Sequence, residues 1–175
     1  MDEMPRRTGV VTSKGQPVTL LGPDVNIGDL APDFHAVDAA YRPVDLTSFR
    51  GRPVLIAAVP SLDTGVCSLE TKRFNDEAAK LPPEVQLVTI SMDLPFAQKR
   101  FCQVEHVDRV KVLSDHVGRE FGMRYGVLTE DKALLARSIF VIGRDGRIVY
   151  RELVYDQGTE PDYDAALEAL RRAAS

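Results

Sequence analysis

Two cysteines, Cys67 and Cys102, and three histidines, His35, His106 and His116, are the residues of this 175-residue chain whose types suggest nucleophilic, redox or metal chemistry. No zinc spacing is present. Cys102 and His106 stand four apart on a predicted helix, and two ligands alone make a poor site. A cysteine with a histidine can perform acyl transfer. No histidine falls in a segment that marks a catalytic loop, so all three read as structural or surface residues. Thiol redox chemistry remains. In a reducing compartment a cysteine pair is more often catalytic, redox-sensing or incidental than a structural staple.

The neighbourhood of Cys67 sharpens this. Pro53 to Val59 is a continuous apolar run, the mark of a strand buried on both faces. Pro60–Gly65 is a loop, and from Val66 to about Leu81 the pattern is helical until Pro82-Pro83. Cys67 therefore lies where a helix begins. Backbone N–H groups in a first turn are unpaired, and with the helix dipole they favour a thiolate. By placement alone, an inert core cysteine is an equal reading.

The remaining elements must position these residues. A polar turn, Ser13–Gln16, joins Thr8–Thr12 to Pro17–Leu21 and predicts an N-terminal β-hairpin over residues 1–22. Short strands are predicted at Phe34–Val37 and Val44–Leu46, a buried strand at Val85–Ser91 and a short one at Val110–Leu113. A helix over Phe96–Glu105, with Pro95 at its start, carries Cys102. A short helix is expected at Val117–Phe121, with Gly122 as its cap. The Asp145-Gly146 turn joins strands Ser138–Ile142 and Arg147–Leu153. An amphipathic helix over Tyr163–Arg172 closes the chain. This order predicts one α/β domain over residues 1–175, a mixed central sheet flanked by helices with the hairpin as an N-terminal extension. Periodicity alone does not single out its family.

Composition excludes several function classes. A net charge of −4 gives no positive excess for nucleic acid or an anionic membrane, and Arg6-Arg7 and Arg171-Arg172 read as solvated surface. No segment approaches the ~18 consecutive apolar residues of a membrane span. No apolar stretch follows Arg6-Arg7, so a secretory or twin-arginine signal is not indicated and a cytoplasmic location is the expectation.

The loop carries a resemblance. Pro60-Ser61-Leu62-Asp63-Thr64-Gly65-Val66-Cys67 resembles the active-site signature of the peroxiredoxins, in which proline, threonine and cysteine recur at this spacing. Asp63–Cys67, Asp93-Leu94-Pro95-Phe96-Ala97-Gln98-Lys99-Arg100-Phe101-Cys102 and Thr159-Glu160-Pro161-Asp162-Tyr163 narrow it to the bacterial thiol peroxidase subfamily. The resemblance implies a thioredoxin-like fold and reduction of hydrogen peroxide or organic hydroperoxides. It implies that Cys67 attacks the peroxide, that Thr64 holds the peroxide oxygens and that Pro60 shields the pocket. It makes Cys102 the resolving cysteine, closing an intramolecular disulfide with Cys67 that thioredoxin or a similar dithiol protein reduces. It implies a homodimer and no metal, haem or flavin cofactor.

Arg137 is also assigned by resemblance, as the arginine beside the cysteine. By pattern alone it is a surface arginine at a strand end, although an arginine entering an apolar strand wants an anion partner; Arg73 and Arg124 stand open beside it. Two other readings compete with the peroxidase. One is a Cys–His hydrolase, which gives the Thr64–Cys67 loop no purpose. The other is a redox sensor or interaction module; a thioredoxin-type oxidoreductase is disfavoured because Glu70, not cysteine, stands three residues after Cys67.

Overall fold

The computed structural model describes residues 3–175. Strands β1 (Arg6–Ser13), β2 (Gln16–Leu21), β3 (His35–Val37), β4 (Pro43–Asp45) and β5 (Val54–Ala58) are followed by helix α1 (Gly65–Ala78), β6 (Gln86–Ser91) and α2 (Pro95–Glu105). Strand β7 (Lys111–Ser114), helix α3 (Glu120–Arg124), strands β8 (Leu128–Thr129), β9 (Ser138–Ile142) and β10 (Ile148–Leu153) and helix α4 (Tyr163–Ala174) complete the chain. The main sheet has the order β10-β9-β5-β6-β7-β3-β4. Strands β5, β6 and β7 run parallel, and β9 pairs antiparallel with β5. This is the mixed sheet that the strand and helix signals predict, in the thioredoxin-like arrangement that the resemblance implies.

Strand β5 shows why the sheet sits where it does. All five of its residues are buried, and successive side chains point to opposite faces. Val54, Ile56 and Ala58 join a core with Phe34, Phe121, Tyr125 and Phe140. Leu55 and Ala57 join a second core with Phe74 of α1 and Leu167 and Leu170 of α4. Helices α1, α2 and α4 thus cover one face, while α3 and the N-terminal hairpin cover the other. The hairpin is anchored: Val11 and Leu20 have no exposed surface and enter the first core. Among the described residues, no helix is long and apolar enough to cross a membrane.

Two local expectations are corrected. The short helix begins at Glu120, later than Val117, and Gly122 lies inside it rather than capping it. Arg119 takes left-handed backbone, and the Asp115 carboxylate accepts from the backbone N–H groups of Phe121 (3.0 Å) and Gly122 (2.8 Å), which fixes the start of the helix. Strand β8 was not expected; two residues are too few to show an alternation. It pairs with β2 and so ties the hairpin to the segment that leads into β9.

Gly122 is required by close approach. A Cβ there would stand 2.7 Å from Leu135 Cδ2 and 3.1 Å from Leu128 Cβ, both on buried residues. Gly122→Ala should therefore destabilise the fold by about 1–3 kcal/mol, the usual cost of overpacking. Urea denaturation checks this, and an unchanged midpoint would contradict it.

Candidate active site

Strand β5 delivers the chain to the loop Pro60–Thr64, and Val59 still pairs with the sheet through its N–H to the Ile90 carbonyl (3.0 Å). Thr64 has extended backbone (φ −94°, ψ 147°), and α1 starts at the next residue. Its hydroxyl does not cap the helix. It donates to the Ser61 carbonyl at 3.0 Å, leaving its oxygen lone pairs free. Cys67 is the third helical residue, within the turn whose N–H groups have no helical partner. It is fully buried against Val59 and Leu62, with Phe101 and Val112 alongside. Thr71 Oγ1 donates to the Cys67 carbonyl (2.9 Å), which steadies this turn.

Arg137, just before β9, reaches this sulfur. Its Nη1 donates to Cys67 Sγ at 3.3 Å and to Glu70 Oε2 at 2.9 Å. The guanidinium is held from behind. Arg137 Nε donates to the Gln157 carbonyl (3.1 Å), the Arg137 N–H to Gln157 Oε1, and Gln157 Nε2 back to the Arg137 carbonyl (3.2 Å). Arg137 is 3% exposed and Glu70 has no exposed surface. Burial pushes the Glu70 carboxyl up to about 7, against the pull of Arg137. For Arg137 burial works against the charge, yet Cys67 and then Glu70 outweigh it and hold the guanidinium above its ordinary range. One cation thus serves two groups. When Glu70 keeps its proton, the guanidinium is left to the sulfur.

A cavity of about 350 Å³ opens onto this arrangement. Pro60, Thr64 and Arg137 line it, together with the apolar Val18, Leu134 and Leu135. The structure therefore brings Pro60, Thr64, Cys67 and Arg137 together. The competing arginines lie elsewhere: Arg73 pairs with Glu77 (3.4 Å) and sits over the Tyr163 ring, and Arg124 pairs with Glu120 (2.9 Å). His35 is beside Asp45, His106 ends α2 and His116 faces the Tyr41 ring.

Cys102 is apart from this cluster. It lies on α2, half-buried against the second core, and both cysteines are free thiols. Burial pushes the Cys102 thiol up. Phe101 and Val112 pack against both the Cys67 cluster and the core that holds Cys102. Two contributors went unread in the sequence. Glu70 stands one helical turn after Cys67, a spacing that carries the signal. Gln157 had none, because only the folded chain brings it back to Arg137.

Residues 26–167 match the Redoxin family. A thiol peroxidase of Oceanobacillus iheyensis is 47% identical over 162 residues, spanning 93% of this chain and 98% of that protein. The thiol peroxidase of Bacillus subtilis is 45% identical over 92% of this chain and 96% of its own length. The chain belongs to the thiol peroxidase branch of the peroxiredoxins. The crystal structure of a peroxiredoxin-like protein from Aquifex aeolicus agrees: it superposes with a TM-score of 0.89 at 39% identity, covering 98% of this chain and 99% of that one. As a thiol peroxidase, the enzyme takes a peroxide as substrate and a thiol as reductant.

The Glu70 environment has a consequence for stability. In the unfolded chain this carboxyl loses its proton near its ordinary 4.5, and in the fold near 7. Between those values the folded state binds more protons, so stability falls as pH rises, by about 3 kcal/mol in all. Burial also pushes Asp115 up to about 6, which adds the same sign at lower pH. In a Cys67→Ser background, free of the thiol, denaturant unfolding should weaken from roughly pH 6 to pH 7.5, and Glu70→Gln should flatten that decline. Equal slopes with and without Glu70 would contradict the assignment.

Proposed function

We propose that the enzyme reduces hydroperoxides by a two-cysteine cycle. The Cys67 thiolate attacks the terminal oxygen of the peroxide. The O–O bond breaks, Cys67 becomes a sulfenic acid, and the leaving oxygen takes a proton to depart as water or an alcohol. The Cys102 thiol then attacks the Cys67 sulfur, forming the intramolecular disulfide and releasing water. Thioredoxin or a similar dithiol protein returns both cysteines to thiols by disulfide exchange.

The observation that carries this reading is the 3.3 Å contact from Arg137 Nη1 to Cys67 Sγ, beside a pocket that Thr64 also lines. The guanidinium stabilises the attacking sulfur as an anion and faces the charge that moves onto the peroxide. Because the Thr64 hydroxyl proton is committed to Ser61, its oxygen is placed to accept from the peroxide O–H. Pro60 lines the same pocket, where it shields the sulfur from solvent. The apolar lining residues Val18, Leu134 and Leu135 suit an alkyl chain, so organic hydroperoxides join hydrogen peroxide as substrates. The reading includes a cytoplasmic homodimer, for which the exposed apolar Leu94, Phe96 and Val104 on and beside α2 offer a surface. A hydrolase is disfavoured, because each histidine has its place away from Cys67.

A thioredoxin-coupled peroxide assay tests the cycle. Cys67→Ser should abolish turnover, and Cys102→Ser should allow one round of Cys67 oxidation while coupled turnover falls. Thr64→Val should lose roughly tenfold or more in rate, the cost of a lost hydrogen bond that orients the peroxide. Substantial turnover by Cys67→Ser, or unchanged kinetics in Thr64→Val, would overturn the corresponding role.

A further inference from the structure

The loop that carries Thr64 and Cys67 is not held by its own helix alone. Asp93, between the end of β6 and the start of α2, reaches across to it. Asp93 Oδ1 accepts from Ser61 Oγ at 2.7 Å, and Oδ2 accepts from the Leu62 N–H at 2.8 Å. The Ser61 carbonyl in turn receives the Thr64 N–H (3.1 Å) and the Thr64 hydroxyl (3.0 Å). A continuous chain of hydrogen bonds therefore runs from Asp93 through Ser61 to Thr64.

Asp93 is itself fixed to the core. Its Oδ2 also accepts from Ser91 Oγ (2.7 Å), and its carbonyl accepts from Ser114 Oγ. Gln98 of α2, fully buried, donates to Ser91 Oγ (3.1 Å) and to the Leu113 carbonyl (2.8 Å). The same network thus grips the first turns of the helix that carries Cys102. Farther along, a groove of about 310 Å³ lies between Leu62–Gly65 and Ala97, Phe101 and Val104 of α2. The Lys72–Glu105 pair that bridges α1 and α2 there is solvent-exposed enough to hold little.

We infer that Asp93 is a positioning residue that latches the Cys67 loop to the start of the Cys102 helix: it sets Thr64 for the peroxide and resists the opening that disulfide closure requires. The inference rests on the two-cysteine reading above. Closing a disulfide needs Cα atoms within about 7 Å and Cβ atoms aimed at each other. Cys67 is buried in an intact helical turn and Cys102 packs in a different cluster on another helix, so the two sulfurs meet only if one of these segments moves out of place. Unwinding at the loop or at the start of α2 breaks the bonds to Asp93. The latch therefore favours the first chemical step and opposes the second.

That opposition separates a latch from a merely structural residue. Rapid-quench oxidation of the whole protein, with thiols alkylated and species resolved by intact mass, reads the two steps apart. Asp93→Asn keeps the shape but loses an acceptor oxygen. It should slow loss of the Cys67 thiol about tenfold, the worth of one hydrogen bond to a charged group, and speed conversion of sulfenic acid to disulfide by about threefold. The balance between disulfide and over-oxidised sulfinic acid should shift toward disulfide. Both steps slowing together, or neither changing, would overturn the inference. Should Asp93→Asn not fold, Ser61→Ala removes one arm of the latch and should show the same split at smaller size; its absence would overturn the inference equally. A wild type that forms no Cys67–Cys102 disulfide would refute the two-cysteine reading and the second half of this proposal with it. The first half would still stand or fall on the oxidation rate of Asp93→Asn.

Discussion

A single buried guanidinium organises this site. Arg137 is an arginine with almost no exposed surface, and a buried cation persists only when anions and acceptors surround it. Here Cys67 Sγ, Glu70 Oε2 and the Gln157 carbonyl do so. The acceptors come from two parts of the chain and the guanidinium from a third. Cys67 and Glu70 share one face of α1, Arg137 leads into β9, and Gln157 follows β10. Because β9 pairs with both β5 and β10, the sheet fixes all three approaches relative to one another. Displacing any one of them would leave a buried charge uncompensated, so the sheet register and the chemistry are tied together.

The same sheet explains the pairing of a reactive cysteine with a remote one. Strands β5 and β6 are parallel neighbours, so their C-terminal ends lie at one edge. The loop after β5 leads to Cys67 and the loop after β6 leads to the helix with Cys102. Both helices thus start at one end of the sheet, while Cys102, farther along its helix, packs in a different cluster from Cys67. Phe101 and Val112 pack on both sides of that division. The arrangement keeps a well-formed pocket in the reduced enzyme; in the two-cysteine cycle we propose, resolution falls to local opening, the kind of motion drawn from weakly held segments.

Much of this was legible in the sequence, for physical reasons that differ by element. The run Pro53–Val59 carries the mark of a strand buried on both faces, and β5 is one. The proline before Phe96 and the Asp-Gly turn at 145–146 each marked their elements through backbone preference. Cys67 was legible as a helix-start cysteine, although only the resemblance of the Pro60–Cys67 segment favoured chemistry over an inert core residue. Arg137 could not be separated from Arg73 and Arg124 by pattern, since its burial follows from where β9 sits. By sequence Glu70 only marks the absence of a second cysteine three residues after Cys67, while in the fold its carboxylate is the partner of Arg137. Gln157 and Asp93 act through hydrogen bonds across 20 and 31 residues or more, which no local period reveals. The start of α3 moved because the Asp115 side chain, buried by the fold, took over the capping.

We propose that Arg137 activates Cys67 through direct contact with its sulfur. The most direct measurement is the single-turnover, second-order rate at which hydrogen peroxide consumes the Cys67 thiol in wild type and in Arg137→Lys, with no coupling enzymes present. Lysine keeps the charge but cannot span the sulfur, Glu70 and the Gln157 carbonyl at once. A folded Arg137→Lys enzyme should react slower by roughly 10²-fold. A rate within a few-fold of wild type would contradict the account.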